Sequence, residues 1–185
     1  MAKKLLASVM AFALCLFVSA ADMVVKGKNG EDRKINVVDT SETFLRFKIL
    51  SDSTAELTKE SSYRNHDSIT IPEKVRIGGN VYTVTSIGGS AFEGCNSLTS
   101  IKIPEGVTSI GEWAFSGCRS LTSINIPESV TSIGEAAFEG CDNLEPKLLV
   151  YDKGTKCYGW IGNKEKCTNV VIPDGVTSIG ESAFE

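Results

Sequence analysis

A unit of 23 residues recurs along this chain, and this period constrains the fold more than any other feature. The unit begins at Val84, Val107 and Val130 and returns at Val176, two periods after the third copy. The copies read VTSIGGSAFEGCNSLTSIKIPEG, VTSIGEWAFSGCRSLTSINIPES and VTSIGEAAFEGCDNLEPKLLVYD, followed by VTSIGESAFE. A fixed period of this size is typical of a solenoid, in which each unit is one turn stacked on the turn before it. Since the last copy stops at Glu185, we expect this chain to belong to a longer array.

The second half of each unit predicts a short strand with one buried side. Leu98, Ile101 and Ile103 have the LxxLxL spacing of a leucine-rich repeat, which directs the two isoleucines to the same face. Lys102 points to the opposite face. Pro104 ends the strand because it has no backbone N–H to donate.

The first half of the unit predicts a second extended segment followed by a tight turn. Residues 107–110 carry apolar side chains at both ends, and Gly111 is expected to open a short helix or 3₁₀ turn. Ala114 and Phe115 of that helix would face the core. Gly117 suits the left-handed residue that closes such a helix. The unit therefore predicts an α/β repeat solenoid.

The N-terminus has the features of a cleavable signal peptide. Two lysines precede an uncharged stretch from residue 5 to residue 21, which ends near Val18-Ser19-Ala20. This pattern predicts cleavage after Ala20 or Ala21, and therefore export of the protein. The alternative is an uncleaved membrane anchor, but the apolar stretch is short for a span, which needs about 20 residues. We assign residues 1–21 to the signal peptide and predict no membrane span after cleavage.

The segment after the leader contains no copy of the unit. Residues 44–50 and 54–58 are plausible strands, and the apolar runs around Gly78-Gly79-Asn80 predict a β-hairpin. A solenoid needs a cover for the open face of its first turn. We therefore interpret residues 22–67 as a β-rich N-terminal cap and residues 68–185 as the repeat array.

One turn, at about residues 150–168, keeps the period but loses the pattern, and we call it the irregular turn. Counted in register with the other copies, Lys153 replaces the valine and Lys156 replaces the isoleucine of VTSIG, while Ile161 takes the phenylalanine position and Cys167 takes the leucine position. Such a turn is either a bulge with its own local packing or the functional part of the array. Exposed loops on repeat scaffolds often carry function.

The cysteines fall into two groups. Cys95, Cys118 and Cys141 occupy one position in three copies, which predicts a ladder of buried thiols that pack as small apolar side chains. A redox or metal site is the alternative, but these cysteines have neither a CxxC spacing nor a neighbouring histidine. Cys157 and Cys167 lie in the irregular turn and are candidates for one local disulfide in an exported protein.

The motif VTSIGxxAFxGCxSLTSIxIPEG resembles the BspA-like, treponemal-type leucine-rich repeats of bacterial surface proteins. The resemblance covers Ser68 to Glu185. It implies a right-handed β/α superhelix with 23-residue turns, in a secreted or surface-exposed interaction protein. Members of this family are associated with adhesion to host matrix proteins such as fibronectin and fibrinogen, and with contact between bacteria. The irregular turn departs from the family pattern, and no binding residue transfers position by position.

Binding of a protein or glycan partner is the leading functional hypothesis. One candidate surface is the exposed face of the LxxLxL strands, which includes Lys102 and Asn125, although it could equally be ordinary solvated sheet. Tyr151, Tyr158 and Trp160 are candidate aromatic anchors, because tyrosine and tryptophan are enriched in binding hot spots. Alternatively, these aromatic residues cover the core of the irregular turn. The competing hypothesis is a structural spacer within a larger surface protein.

Charge and motifs argue against other classes of function. The formal net charge is −4, and loss of Lys3 and Lys4 with the leader makes it −6, so nucleic acid and anionic membranes are poor partners. His66 is the one histidine and lies in a polar stretch. The sequence contains no nucleophile elbow, HExxH or phosphate-binding loop, and no cluster of metal ligands. We therefore predict neither an enzyme nor a bound cofactor.

Overall fold

The computed structural model describes residues 21–26, 32–163, 165, 169–180 and 183–184. The strands up to the first unit are β1 (Ala21–Lys26), β2 (Asp32–Asp39), β3 (Phe47–Ile49), β4 (Thr54–Leu57), β5 (Ser68–Thr70), β6 (Lys74–Ile77) and β7 (Asn80–Ile87). The strands that follow are β8 (Ser100–Lys102), β9 (Ser109–Ile110), β10 (Ser123–Ile124), β11 (Ser132–Ile133), β12 (Lys147–Tyr151), β13 (Lys156–Ile161) and β14 (Ser178–Ile179). Short 3₁₀ helices span Thr40–Glu42 and Ser61–Asn65. The predicted signal peptide lies outside the described residues except for Ala21.

A mixed sheet forms the N-terminal end of the molecule. Its strand order is β1-β2-β6-β7-β4-β3, and β7 also pairs with β9 of the array. The strands predicted at 44–50 and 54–58 are confirmed in shorter form as β3 and β4, which pair antiparallel. The predicted hairpin is confirmed as β6 and β7. Its loop residues Gly78 and Gly79 have φ angles of 58° and 90°, which suit a tight two-residue turn.

Two parallel ladders run through residues 84–144, which we call the regular turns. One ladder joins β5, β8 and β10, and the other joins β7, β9 and β11. Ser100 pairs with Ser123 and Ser109 pairs with Ser132, so equivalent residues of successive copies lie side by side. Ile101 is buried while Lys102 is exposed, as the alternation in the sequence predicts. The repeated motif thus sets both the register and the buried face.

Of the two alternatives predicted after Gly111, the short helix is absent. The structure keeps single turns with i→i+3 hydrogen bonds, such as that from the Ala114 N–H to the Gly111 carbonyl at 3.3 Å. The described residues of that segment form successive turns in which alternate N–H groups point in different directions. The N–H of Ser116 donates to the Trp113 carbonyl three residues back, at 3.1 Å, whereas the N–H of Phe115 donates to the Ala137 carbonyl of the next turn, at 2.8 Å. Trp113 has a φ of 58°, which no helical residue adopts. The stacked neighbour competes for these N–H groups and prevents a helix from closing.

A column of aromatic rings runs through the core of the regular turns. Phe92 and Phe115 stack with ring centroids 5.2 Å apart, and Phe115 and Phe138 stack at 5.5 Å. Tyr63 closes the N-terminal end of the column, with its ring 5.2 Å from that of Phe92. Its hydroxyl oxygen accepts a hydrogen bond from the N–H of Arg46 at 2.8 Å, and burial raises the pKa of Tyr63 to about 12. A tyrosine suits this place because it presents a ring to the core and a polar atom to the cap.

The three repeated cysteines are buried beside this column, which confirms their expected packing. The Cys118 thiol donates to the Phe92 carbonyl and the Cys141 thiol donates to the Phe115 carbonyl, both at 3.1 Å. Burial raises the pKa of Cys95 to about 11 and that of Cys141 to about 12. These thiols are therefore protonated, unreactive parts of the core at neutral pH.

Candidate functional site

The first candidate surface, the exposed face of the LxxLxL strands, is regular and short of free hydroxyl protons. Lys102 and Asn125 are exposed on β8 and just after β10. The Thr99 hydroxyl donates to the Asp67 carbonyl at 2.8 Å, and the Thr122 hydroxyl donates to the Thr99 carbonyl at 3.2 Å. These hydroxyl protons are already used within the array. On this face, threonine hydroxyls thus bond to backbone carbonyls of the preceding turn.

Residues 147–161, at the start of the irregular turn, fold as a hairpin inserted into the array. β12 and β13 pair antiparallel with a shift in register between Leu149 and Val150, and β13 then pairs in parallel with β14. Asp152, Lys153 and Gly154 have φ angles of 51°, 56° and 84°, which turn the chain sharply. The sequence pattern predicts either a bulge with its own local packing or the functional part of the array. The structure places a hairpin there.

This hairpin shifts the predicted register. Lys156 pairs with Ser178 and Cys157 pairs with Ile179, so Cys157 and not Lys156 takes the isoleucine position. The N–H of Trp160 donates to the Ala183 carbonyl at 2.8 Å, the bond that a repeat phenylalanine makes elsewhere, so Trp160 and not Ile161 holds that backbone position. The predicted register is therefore wrong here. The isoleucine position comes one residue later than the period places it, and Trp160 follows Cys157 by only three positions, where Phe115 follows Ile110 by five.

Two lysine side chains bond to the last regular turn. The Lys156 ammonium lies 2.8 Å from the Thr131 carbonyl, and the Lys147 ammonium lies 3.4 Å from the Ile124 carbonyl. In the regular turns the equivalent Thr108 carbonyl accepts from the N–H of Thr131 at 2.9 Å. An ammonium thus replaces a backbone donor where the repeat pattern is broken.

The hairpin and the last regular turn enclose a cleft of about 1040 Å³, which we call the aromatic cleft. Tyr151, Tyr158 and Trp160 all line it, together with Trp113 and Phe184. The structure therefore brings together the three aromatic residues singled out in the sequence. Lys102 and Asn125 are not among the residues that line the cleft.

The three predicted anchors differ in what else they contact. The Tyr158 ring meets Phe138 edge-on at 5.5 Å and 86°, and its hydroxyl accepts from the N–H of Phe138 at 3.4 Å. Burial raises the pKa of Tyr158. Tyr151 also packs against the core, with the Lys156 ammonium 5.8 Å from its ring centre. The indole N–H of Trp160 donates to the Asn163 carbonyl at 3.2 Å. The Tyr158 ring thus closes the aromatic column at Phe138, while the Trp160 indole bonds to its own segment of the chain.

Trp113 is a cleft residue that the sequence reasoning missed. Its side chain is 42% exposed on a residue with positive φ, a conformation that bulky side chains rarely adopt. Ser90 and Ala136 hold the same position with φ angles of 55° and 50°, so the repeat itself imposes this backbone shape. A large aromatic residue where other copies carry a small one was the available signal.

The remaining candidate residues lie away from the cleft or outside the described chain. His66 stacks on Phe44 with ring centroids 3.9 Å apart. Cys157 is 1% exposed, and Cys167 lies outside the described residues, so a disulfide between them stays a prediction. The described residues hold no group of three or more side chains suited to a metal ion. None of their helices is long and apolar enough to cross a membrane.

Comparison with known proteins places these turns in a family. A family model described as "BspA type Leucine rich repeat region (6 copies)" matches residues 59–185. The chain belongs to the BspA-type leucine-rich-repeat family. This membership confirms the resemblance read from the motif. Repeats of this family typically form interaction modules.

Solved structures of leucine-rich-repeat proteins are similar to this chain. A leucine-rich repeat protein from Bacteroides ovatus shares 36% identity at a TM-score of 0.61, with 76% of this chain and 37% of that protein covered. A leucine rich cell surface protein from Faecalibacterium prausnitzii shares 31% identity at 0.54, with 76% and 38% covered. A leucine-rich repeat protein from Bacteroides capillosus shares 28% identity at 0.53, with 74% and 92% covered. This chain thus spans little more than a third of the first two proteins. No curated protein matches the chain.

Proposed function

We propose that this chain is an exported, cell-surface interaction module that binds a partner protein through the aromatic cleft. The observation that carries the proposal is the gathering of Trp113, Tyr151, Tyr158 and Trp160 around one cleft beside the irregular turn. Exposed aromatic residues beside a concave surface are the usual anchors of protein recognition.

Export and surface location have separate support. The leader pattern of residues 1–21 favours secretion. The similar protein from Faecalibacterium prausnitzii is described as a cell surface protein. An adhesin-like role, with a host matrix protein or another cell as the target, follows as the form of binding that we propose.

We also propose that 23-residue turns wind as a right-handed superhelix, with residues 22–67 as the cap of its first turn. The pairing of Ser86 with Ser109 and of Ser109 with Ser132 supports the period. The parallel pairing of β4 with β7 supports the cap, because β4 covers one side of the first unit. Such a superhelix presents the cleft at a fixed place along a rigid rod.

A structural spacer is the second candidate function, favoured by the hydroxyl ladder of the strand face. The Thr108 hydroxyl donates to the Thr85 carbonyl at 3.1 Å, as the Thr99 and Thr122 hydroxyls do in the neighbouring ladder. A surface whose polar groups bond along the array has less to offer a partner.

Binding of the full chain, exported from a bacterial host, to immobilised matrix proteins tests the two candidates. We expect saturable binding that is lost in the double variant Trp113→Ala, Trp160→Ala. The matched control is Lys102→Ala, Asn125→Ala, which changes the strand face and leaves the cleft intact. Loss of binding in the control alone would move the site to the strand face, and binding to no partner in the unaltered chain would favour the spacer.

A further inference from the structure

The described wall of the aromatic cleft carries charged side chains of one sign. The carboxylates that line it belong to exposed residues on two sides of the opening, Glu135, Glu139, Asp142 and Glu165. Among the described residues that line the cleft, none is a lysine or an arginine. The potential at the described wall is therefore negative, and the same cleft is lined by aromatic side chains.

Two lysines of the hairpin strands, Lys147 and Lys156, are engaged elsewhere. The Lys156 ammonium lies 3.0 Å from the Asp152 carboxylate and 2.8 Å from the Thr131 carbonyl. The Lys147 ammonium bonds to the Ile124 carbonyl. Neither side chain lines the cleft, so neither neutralises its carboxylates in place.

We infer that the cleft binds a basic peptide segment of the partner protein, with lysine or arginine side chains seated between indole faces and carboxylates. Cations are attracted to the faces of tryptophan rings, and nearby carboxylates add a favourable pairing. The volume of about 1040 Å³ lies at the upper end of the usual size of pockets, so the cleft has room for several side chains. This inference rests on the proposed function and names the chemistry of the partner.

Other occupants fit the cleft less well. A neutral glycan could stack on the tryptophans but would gain nothing from the net negative charge of the wall. An acidic peptide would be repelled by the same carboxylates. Charge complementarity therefore selects the basic segment among the classes that aromatic residues recognise.

The test measures binding of a short, end-capped peptide of alternating lysine and serine to the full exported chain. A peptide with glutamate in place of lysine and a neutral maltose oligosaccharide serve as comparison probes. The cleft variant Glu135→Gln, Glu139→Gln, Asp142→Asn removes three carboxylates. The matched control Glu105→Gln, Glu128→Gln, Asp174→Asn removes the same charge from exposed residues outside the cleft.

We expect the lysine peptide to bind, the glutamate peptide not to bind, and the cleft variant to weaken lysine-peptide binding by about 10-fold. The control should weaken it far less, and Trp113→Ala with Trp160→Ala should weaken it as well. Equal weakening by the cleft variant and its control would overturn the inference, as would preferential binding of the oligosaccharide. If matrix-protein binding needs the tryptophans but not the cleft carboxylates, the basic-segment inference fails while the proposed function stands.

Discussion

The regular turns and the irregular turn differ in the donors that bond to equivalent backbone carbonyls. In the regular turns the N–H of Thr131 donates to the Thr108 carbonyl, and each turn supplies the partners of its neighbour. Where the irregular turn begins, the Lys156 ammonium and not a backbone N–H donates to the Thr131 carbonyl. Repetition therefore produces a surface that is stable and uniform. A local departure from repetition produces the varied aromatic surface that recognition needs.

The strongest way to test this contrast is to remove a ring from the aromatic column. Phe115 is fully buried between two stacked rings, so Phe115→Ala should destabilise the chain by about 3–5 kcal/mol. Urea unfolding followed by circular dichroism measures the change. The control Trp113→Ala removes an exposed ring and should cost far less. Similar losses for the two variants would contradict the view that the column, and not the cleft, holds the array.

A second test adds an atom between two turns. A Cβ on Gly134 would lie 2.4 Å from the Glu112 nitrogen and 2.6 Å from the Gly111 carbonyl carbon, so Gly134→Ala must push successive turns apart. We expect the free energy of unfolding to fall by about 1–3 kcal/mol.

The matched control for this test is Gly89→Ala. Its Cβ would lie 3.5 Å from the nearest atom, the Glu112 carbonyl oxygen, and no left-handed φ opposes the change. Thermal unfolding of the two variants should therefore differ clearly. Equal melting temperatures would mean that the turns are not packed as tightly as their register requires.

A third test removes the ammonium that joins the irregular turn to the array. Lys156→Met keeps the length of the side chain and removes its hydrogen bond to the Thr131 carbonyl and its pairing with Asp152. The expected loss is about 1 kcal/mol, and urea unfolding measures it. Lys153→Met, which removes the same charge from an exposed position, is the control. An equal effect of both changes would show that net charge matters here and the bond does not.

The smallest effect appears only in alkaline solution. Burial raises the pKa of Cys141 to about 12 from the ordinary 9.0, so folding favours the protonated thiol. This contribution is fully present below about pH 9 and is lost as the pH rises from 9 toward 12, because the unfolded chain releases its proton first. We expect the free energy of unfolding to fall less steeply with pH in Cys141→Ala than in the unaltered chain. Parallel pH profiles would exclude a protonated thiol as a contributor.

The features that could be predicted from the sequence are those decided within one unit or between one unit and the next copy. The spacing of Ile101 and Ile103 fixes the buried side of a strand, and the period fixes its partner in the next turn. The glycine pair at 78–79 likewise identified the hairpin, since local backbone preference decides a two-residue loop. Patterns of this kind need no knowledge of the rest of the fold.

The errors arose where neighbouring turns or a changed loop decide the outcome. The segment from Gly111 to Gly117 has the composition of a short helix, but the next turn offers carbonyls to Phe115 and Gly117 that a lone helix lacks. In the irregular turn, counting in steps of the period misplaced Lys156 by one residue, because the chain takes 24 residues and not 23 to pass from Ile133 to Cys157, with a register shift between Leu149 and Val150 on the way. The role of Trp113 depends on the hairpin that faces it, which no single unit contains.

The opposed directions of the hydrogen bonds between turns have an electrical consequence. In the segment that carries the phenylalanine, the N–H of Phe115 donates forward to Ala137, whereas beside the strands the N–H of Gly134 donates back to Ile110. The peptide dipoles of the two sets therefore point opposite ways along the axis and offset each other. An α-helix sums its dipoles in one direction and places partial charges at its ends. A stack built like this one can lengthen turn by turn with little growth in its axial dipole.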